Sequence, residues 1–480
     1  MNIKRIKKIY NLESTIAAIA TAPGEGAIGI VRLSGKNALK IADKIFVCPS
    51  GKKPSEFKTR TIHYGWIAAA GKKKLKNKIS TDNIIDETLL TVMKAPFTYT
   101  RQDIVEINCH GGVLALKKTL ELVLEKGAVL AEPGEFTKRA FLNGRIDLTQ
   151  AEAVLDIIRA KTEAGLDAAL GQLKGRLSEK IEKIKNVLMN ALANLEASFD
   201  FSQHDISVLD RKEITACLAT VKKSLEELIE NSEKGCVLRE GITTVICGKP
   251  NVGKSSLMNA FLREDKVIVT PIAGTTRDAI EDIINIKGIP LKIVDTAGII
   301  EPRDLVEKEG IKRSKKYLKE AHLILFVLDN SRVLSQEDFQ IIEEIKDRPV
   351  MVVINKIDLK TKLDFKKIKD FLKDKSIVKI CALKEKGMPQ LEESIRQQVL
   401  GGKAFTDRES ILVTNLRHKK LLEKSLEFAR AAGENLKTEM KEELAAEDIR
   451  EVLKLIGSVV GEVTPEDILN KIFEEFCVGK

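Results

Sequence analysis

The sequence predicts a multidomain α/β protein in which a nucleotide-binding domain, a mostly parallel sheet flanked by helices, is inserted into a helical domain. The first observation is a glycine-rich loop, residues 248–255, directly after the apolar run Ile242–Cys247. The second is a helical pattern of apolar residues over 152–195 that resumes at 416–436. The third is a mixture of short β-rich runs and a helix between 14 and 129, which predicts an α+β domain at the N-terminus.

The N-terminal α+β domain is predicted to span residues 1–143. The apolar, β-branched content predicts a helix at 113–126 and strands at 15–20, 29–33, 87–92 and 105–109. Gly24, Gly26 and Gly29 form a G-x-G-x-x-G pattern, but a strand follows it where a dinucleotide site needs a helix. We therefore interpret it as a glycine-rich turn entering a strand. The lysine-rich run 71–78 is predicted to be the tip of a hairpin.

The other domain boundaries follow from where the helical pattern stops and resumes. We predict the first part of the helical domain at 144–235, the nucleotide-binding domain at 236–403, and the second helical part at 404–480. Insertion of one domain at a surface tip of another is tolerated, and it lets a motion in one domain be felt by the other.

Composition and charge restrict the class of protein. The chain has 480 residues, of which 43% are apolar, so it can build about three domains with their own cores. No apolar run approaches the ~20 residues of a membrane span. The basic N-terminus lacks a following apolar run and is not predicted to be a secretory signal. Seven cysteines without a C-x-x-C pair fit a reducing compartment, so we expect a cytoplasmic protein. The net charge of +10 permits a nucleic-acid partner.

The loop at 248–255 reads G-x-x-x-x-G-K-S, the phosphate-binding loop of P-loop nucleotide hydrolases. Backbone N–H groups of such a loop point at the phosphates, and the helix that follows favours anions at its N-terminus. Lys254 is predicted to reach the β- and γ-phosphates, and Ser255 to bind Mg²⁺.

Two further motifs follow the loop in order. Asp295-Thr-Ala-Gly298 comes after an apolar run, with an aspartate suited to the outer shell of Mg²⁺ and a Gly298 N–H suited to the γ-phosphate. Asn355-Lys-Ile-Asp358 comes after another apolar run. The Asp358 carboxylate can accept two hydrogen bonds from the guanine N1–H and N2–H₂ edge, whereas adenine would leave it unpaired. The three motifs together predict binding and hydrolysis of GTP.

Residues 270–278, between the phosphate loop and Asp295-Thr-Ala-Gly298, predict a switch loop. Its threonine is expected to bind Mg²⁺ and sense the γ-phosphate, and Thr276 is preferred to Thr275. No glutamine follows Asp295-Thr-Ala-Gly298 to orient water, so any of the acidic residues that follow, Glu307 among them, could act on it.

The guanine-capping loop departs from its usual form. Cys381-Ala382-Leu383 resembles the usual Ser-Ala-Lys, with cysteine for serine and leucine for lysine. The Ala382 N–H can still meet guanine O6, whereas leucine replaces the lysine that normally supplies the stacking.

The stretch GKPNVGKSSLMNAF together with GTTRD, DTAG and NKID resembles the bacterial GTPases related to Era, which have a Ras-like P-loop domain. Several of these hold K⁺ beside the phosphates, where it supplies charge stabilisation that an arginine finger supplies elsewhere. The resemblance implies K⁺ ligands at Asn251, Thr270, Ile272 and Thr275. From the residues alone, a local turn hydrogen bond is the simpler interpretation of Asn251. The full predicted GTP-binding set is Asn251, Val252, Gly253, Lys254, Ser255, Ser256, Thr270, Thr275, Thr276, Asp295, Thr296, Ala297, Gly298, Asn355, Lys356, Asp358, Cys381, Ala382 and Leu383, with Mg²⁺ at Ser255 and Thr276.

Four stretches outside this domain carry a second resemblance. They are APGEGAIGIVRLSG from residue 22, APFTYTRQDIVEINCHGG from residue 95, PGEFTKRAFLNGRIDL from residue 133, and FCVGK from residue 476. With an inserted GTPase they resemble the tRNA uridine-modification GTPase family called MnmE or TrmE. The resemblance covers nearly the whole chain after Ser14.

This resemblance implies a function for the whole chain. The family dimerises and binds a tetrahydrofolate, a 5-formyl or 5,10-methylene form, through its N-terminal domain. With a flavin-dependent partner, in a heterotetramer or larger complex, it installs an aminomethyl-type group on carbon 5 of the wobble uridine of certain tRNAs. The family's water-orienting glutamate corresponds to Glu307, with Glu309 as the alternative.

The folate assignment has a physical interpretation. Glu106 could accept the pterin N–H edge through both oxygens. Arg32, Arg145 and Lys480 match the family's basic positions and could meet the anionic tail or ring oxygens. Cys477 lies in the terminal motif, where packing is the commoner role for a thiol.

A competing hypothesis is an Era-like GTPase switch that acts in ribosome assembly or RNA binding, with no chemistry beyond hydrolysis. The GTPase motifs do not separate the two hypotheses. The N-terminal domain with Arg32, Glu106 and Lys480 does, because a pure switch has no need of it.

Overall fold

The structure is a computed structural model that describes residues 12–69, 84–200, 211–264, 282–295, 317–373, 375–401, 411–438 and 441–480. The predicted hairpin tip at 71–78 lies outside these residues. The chain forms two compact units, Met1–Leu155 with Lys454–Lys480 and Asp156–Leu453. Among the helices of these ranges, none is both long enough and apolar enough to cross a membrane.

A seven-stranded sheet organises the first unit, in the order β3-β4-β5-β6-β2-β1-β7. Neighbouring strands are antiparallel, except that β1 and β7 are parallel. The strand bounds are β1 Ile16–Ile19, β2 Gly26–Ser34, β3 Phe46–Val47, β4 Thr61–Ala68, β5 Ile84–Met93, β6 Ile104–Gly111 and β7 Val129–Leu130.

A six-stranded sheet forms the centre of the nucleotide-binding part of the second unit, in the order β13-β12-β11-β8-β10-β9. It is parallel except for β9, which pairs antiparallel with β10. The strand bounds are β8 Ile242–Cys247, β9 Asp282–Ile286, β10 Ile289–Asp295, β11 Leu323–Asp329, β12 Val350–Asn355 and β13 Ser376–Lys379.

The helices of the described residues complete both units. In chain order they are α1 Ala38–Ile45, α2 Val113–Glu125, α3 Glu135–Leu142, α4 Leu148–Arg159, α5 Glu163–Leu173, α6 Arg176–Asp200, α7 Arg211–Glu240, α8 Lys254–Glu264, α9 Gln336–Ile345, α10 Phe365–Phe371, α11 Met388–Leu400, α12 Leu416–Asn435, α13 Glu442–Val460 and α14 Glu466–Glu474.

One face of the N-terminal sheet packs on α1 and α2. Val31, Leu33 and Ile107 alternate along β2 and β6 and are fully buried there, because successive residues of a strand point to opposite faces. A second core joins α3 and α14, where Ala140 meets Phe473. The first unit therefore buries a large core on one face of the sheet, while the other face carries polar side chains together with the exposed Ile62, Tyr64 and Leu89.

The nucleotide-binding sheet is covered on both faces. Residues of α8 and α11 pack on one face, and residues of α9 and α10 pack on the other. All seven residues of β11 are buried, as expected for a parallel sheet between two helical layers. This arrangement brings the carboxyl ends of β8, β11 and β12 together, where ligands of such sheets bind.

The helical part of the second unit is built on long amphipathic helices. In α6 the buried residues recur at steps of three and four, which places them on one helix face. Helix α5 begins at Thr162, whose hydroxyl accepts from the N–H of Gly165, and α12 begins at Asn415, whose side chain accepts from the N–H of Arg417. Helix α7 packs against α6 and α12.

The multidomain α/β fold is confirmed, as are the predicted strands and helices that fall on described residues. Strand β2 begins at Gly26, so a strand does follow the glycine-rich turn. The domain ranges stay predictions, although two features differ from them. Helix α7 runs without a break through the predicted boundary at 235–236, and Lys454–Lys480 belongs to the same compact unit as the N-terminal domain.

Candidate functional sites

The phosphate loop leaves the carboxyl end of β8, between its neighbours β11 and β10. Its backbone has positive φ at Gly248 (+145°) and Gly253 (+101°). A Cβ at Gly248 would lie 2.4 Å from the carbonyl oxygen of Val327, and one at Gly253 would lie 2.2 Å from Nδ2 of Asn355. The loop therefore requires glycine at both positions of the motif.

Lys254 folds back over the loop that precedes it. Its ammonium donates to the carbonyl oxygens of Gly248 and Lys249, both at 2.9 Å. Ser255 and Ser256 follow in the first turn of α8, where backbone N–H groups without helical partners favour an anion. These residues lie where the motif predicts, and their contacts to phosphate and Mg²⁺ stay predictions.

Asn355 ties three segments of the site together. Its Nδ2 donates to the carbonyl oxygen of Val252 at 3.0 Å, while its Oδ1 accepts from the N–H groups of Lys356 (2.8 Å) and Ala382 (3.0 Å). Its side chain is fully buried, with the residue only 2% exposed. The phosphate loop, the base-reading motif and the capping loop thus meet at one amide. The predicted bond from Ala382 to guanine O6 stays a prediction.

Asp358 is held by two donors from the capping loop. The Cys381 thiol donates to Oδ1 at 3.2 Å, and the Lys384 ammonium lies 3.0 Å from Oδ2. These hydrogen bonds, that of Lys384 first, keep the pKa of Asp358 below its ordinary value. The carboxylate is therefore ionised and can accept from guanine. Leu383 stands where the usual loop has its lysine, and it is 81% exposed. The lysine that contacts Asp358 is the next residue, Lys384.

Asn251 is the described member of the predicted K⁺ site. It is exposed and has a left-handed backbone, with φ of +66°. Its carbonyl oxygen accepts from Lys356 Nζ at 2.6 Å, and its side-chain amide has no hydrogen bond to another described residue. An amide oxygen that is available in this way fits a cation ligand.

The remaining predicted residues of the GTP site lie outside the described residues. Asp295 ends β10, where its backbone pairs with Ile246, and its side chain is not described. The others are Thr270, Ile272, Thr275, Thr276, Thr296, Ala297, Gly298, Glu307 and Glu309.

A second polar site lies on the N-terminal sheet. Arg32 of β2 and Glu106 of β6 are cross-strand partners, and Arg32 Nε donates to Glu106 Oε1 at 2.8 Å. Each side chain is 20% exposed. The guanidinium also donates to the carbonyl oxygen of Gly479 at 3.3 Å and lies 5.7 Å from the ring centroid of Phe136. The two residues thus form an ion pair in which the other carboxylate oxygen of Glu106 has no donor among the described residues, and their contacts to a folate stay predictions.

Arg145 approaches the same region through an aromatic ring. Its guanidinium carbon lies 4.7 Å from the centroid of Tyr99, whose hydroxyl bonds to Thr137 at 2.9 Å. Burial raises the pKa of Tyr99, while the Thr137 bond and the charges of Arg145 and Arg32 oppose that effect. Both arginines therefore lie within electrostatic reach of one phenol.

The terminal segment packs beside Arg32. The Lys480 carbonyl oxygen accepts from the N–H of Phe136 at 3.1 Å. Gly479 has φ of +96°, and a Cβ there would lie 2.4 Å from the carbonyl oxygen of Ile19. Cys477 is exposed. The backbone of Lys480 is thus fixed on Phe136, and the folate-binding role of its ammonium stays a prediction.

Two family models match the chain. "GTP-binding protein TrmE N-terminus" matches residues 15–145, and "MnmE helical domain" matches residues 148–477, more than half of the chain. Curated relatives match it almost end to end. A protein of Alkaliphilus oremlandii is 46% identical over 98% of this chain and 100% of its own length. The chain belongs to the MnmE (TrmE) family.

Other MnmE relatives have similar coverage. A protein of Clostridioides difficile is 47% identical over 98% of this chain and 100% of its own length. One of Thermoanaerobacter pseudethanolicus is 48% identical over 97% of this chain and 99% of its own length. All three are named "tRNA modification GTPase MnmE". The resemblance stated from the motifs is confirmed.

Several residues of both sites in this MnmE-family chain are not predicted from the sequence. Asp329 contacts Lys356 at 2.7 Å and Asp338 contacts Lys249 at 2.5 Å, yet neither aspartate lies in a recognised motif. Tyr99 and Phe136 lie in quoted stretches, but nothing in those letters shows that they stack beside arginines. The available signal for Asp329 is its place at the end of an apolar strand.

Proposed function

We propose that this protein hydrolyses GTP in a tRNA-modifying complex that adds a carboxymethylaminomethyl group to carbon 5 of the wobble uridine. Its relatives, named as tRNA modification GTPases, support a GTP-hydrolysing enzyme of tRNA modification. One observation carries the finer proposal. A guanine-nucleotide site and a second polar site, built on Arg32 and Glu106, occur in the same chain.

The GTPase half of the proposal assigns each motif a task. Asp358 would read the guanine edge, Lys254 would neutralise charge on the phosphates, and Ser255 with Thr276 would hold Mg²⁺. Glu307 orients the attacking water. Since water attack on the γ-phosphate needs little covalent help from the protein, positioning and charge stabilisation carry the rate.

A K⁺ ion is proposed beside the phosphates. Asn251 would hold it together with Thr270, Ile272 and Thr275. The ion would supply positive charge to the phosphates. The side-chain amide of Asn251, which has no hydrogen bond to another described residue, supports this assignment.

The N-terminal site is proposed to bind the folate. Its ordered pair offers a carboxylate for the donor-rich pterin edge and a guanidinium for an anionic or carbonyl oxygen. Arg145 and Lys480 would add positive charge for the anionic tail. When bound, a 5-formyl or 5,10-methylene tetrahydrofolate supplies the one-carbon unit. Arg32, Glu106 and Tyr99 would bind and orient it.

A homodimer is proposed for the N-terminal domain. The outer face of its sheet exposes Ile62 (64%), Tyr64 (45%) and Leu89 (45%), and Tyr64 pairs directly with Leu89 across β4 and β5. Exposed apolar side chains grouped on one face are typical of an association surface.

The tRNA-modifying complex would also contain the flavin-dependent partner and tRNA, in the cytoplasm.

The first experiment is deletion of the gene followed by mass spectrometry of tRNA nucleosides. We expect loss of the carbon-5 modification, restoration by the wild-type gene, and no restoration by Glu307→Ala or Arg32→Ala. A matched control, Lys346→Ala on the outside of the GTPase domain, should restore it. An unchanged nucleoside profile would reject the modification proposal and favour the Era-like switch, for which ribosome assembly would then be measured.

A further inference from the structure

The end of β11 and the segment after it carry two buried carboxylates that belong to no nucleotide-binding motif. Asp329 is the last residue of β11, and Asp338 lies in the first turn of α9. Each side chain is only 2% exposed. A buried carboxylate is costly unless it is paired and hydrogen-bonded, so the partners of these two residues show what they do.

Asp329 reaches the middle of the phosphate loop through a lysine. Its Oδ2 lies 2.7 Å from Lys356 Nζ, and its Oδ1 accepts from the N–H and hydroxyl of Ser331 at 2.8 and 2.7 Å. Burial raises the pKa of Asp329, but the hydrogen bonds from Lys356 and Ser331 outweigh it and lower the pKa overall. The same ammonium donates to the carbonyl oxygen of Asn251 at 2.6 Å.

Asp338 reaches the start of the loop directly. Its Oδ2 lies 2.5 Å from Lys249 Nζ, and Lys249 is the second residue of the phosphate loop. The ammonium also donates to Ser335 Oγ at 2.8 Å, while the N–H of Ser335 donates to Asp338 at 2.9 Å. The capping box that begins α9 therefore also fixes the phosphate loop.

The loop needs such support because of its backbone. Asn251 and Lys356 both have left-handed backbones, with φ of +66° and +62°, and neither is glycine. A left-handed backbone is unfavourable for a residue with a Cβ and persists only when surrounding contacts hold it. Lys356 Nζ joins these two residues, and Asp329 fixes that ammonium.

We propose that Asp329 and Asp338 are positioning residues that hold the phosphate loop in its nucleotide-binding geometry, one from its middle and one from its start. They act through Lys356 and Lys249. The inference rests on guanine-nucleotide binding and not on the tRNA chemistry. It makes the turn after β11 part of the nucleotide site.

The test measures binding of a fluorescent GDP to the full chain, with affinity and dissociation rate determined for Asp329→Asn and Asp338→Asn. Because each change removes the negative charge with which the lysine ammonium is paired, we expect about tenfold weaker binding, mainly through faster dissociation. Two controls should bind as wild type. Arg332→Ala removes the other ion pair of Asp329, at 3.6 Å, and Asp364→Ala removes the N-cap of α10 and so lowers stability away from the loop.

Double-mutant cycles separate positioning from general destabilisation. If Asp329 acts through Lys356, then Asp329→Asn adds nothing to the loss caused by Lys356→Ala, and likewise for Asp338 with Lys249→Ala. Additive losses, or wild-type affinity in both aspartate variants, would overturn the inference. Should either aspartate variant fail to fold, Ser331→Ala tests the contact of Asp329 and Ser335→Ala tests that of Asp338. We expect each serine variant to increase the dissociation rate by a smaller factor. An unchanged dissociation rate would contradict the inference. Absence of binding by the wild type would instead reject the GTPase proposal.

Discussion

The thiol of Cys381 donates a hydrogen bond to the carboxylate of Asp358, with 3.2 Å between Sγ and Oδ1. The capping loop thereby orients the residue that reads the base, in the place where a serine is usual. We expect Cys381→Ala to weaken GTP binding about fivefold, because a weak donor to a charged acceptor is lost. Cys381→Ser should bind as tightly as wild type or tighter, since a hydroxyl is the stronger donor. Fluorescent-GDP titration measures both, and equal affinity for the alanine variant would show that the thiol is irrelevant.

Base selectivity is expected to depend on the charge of Asp358. Asp358→Asn removes the acceptor that guanine N1–H needs and adds a donor that suits xanthine. We expect GTP affinity to fall about 100-fold and xanthosine triphosphate to be preferred. Competition between the two nucleotides measures this preference. Retained preference for GTP would contradict the assignment of the motif.

The carboxylate of Glu106 is expected to be needed for folate binding and not for GTP binding. Glu106→Gln keeps the shape of the side chain but leaves Arg32 without its charged partner. We expect affinity for 5-formyltetrahydrofolate, measured by calorimetry on the full chain, to fall by about tenfold or more. GTP affinity should not change. Glu87→Gln, on the neighbouring strand β5, is the matched control, and an equal loss in both variants would disprove a specific role for Glu106.

His110 is expected to titrate above its ordinary pKa. Its Nδ1 lies 2.6 Å from Oδ1 of Asp86, and the hydrogen bond and charge of Asp86 raise the pKa of His110 above 6.5. Because the folded value is the higher one, the stabilising contribution is complete below pH 6.5 and is lost as pH rises through the folded pKa. An NMR titration should give a pKa of His110 above 6.5, and Asp86→Asn should lower that pKa. A His110 pKa that Asp86→Asn leaves unchanged would contradict the pairing.

The sequence predicts best those elements whose physical cause is local. The strand β12 and the helix α6 are predicted because a continuous apolar run and a three- or four-residue repeat each have one favourable structure. Strand β4 is not predicted, because Gly65 interrupts its β-forming residues. That glycine is required by tertiary packing, since a Cβ there would lie 2.4 Å from the carbonyl oxygen of Val47.

The sites show the same division. Motif spacing is sufficient to predict Lys254 and Asp358, because the chemistry of phosphate and guanine requires those groups at those positions. Lys249 and Asp338 are 89 positions apart in the sequence (338 − 249). Their ion pair forms only when β8 and β11 become neighbours. No periodicity in the sequence records that contact. The domain boundary predicted at 235–236 also has no local signal, because no residue between Cys236 and Glu240 ends the helix.

Helix α7 ends at Glu240 and strand β8 begins at Ile242, so only Gly241 separates them. A larger residue does not fit at this position, since a Cβ there would lie 2.5 Å from the carbonyl oxygen of Pro290. A helix of that length extends about 45 Å. Rotation of the helix about Gly241 would therefore move its far end over a long distance. A rigid rotation of about 10° about Gly241 would carry Arg211 roughly 8 Å by simple geometry on that length, a displacement as large as a nucleoside.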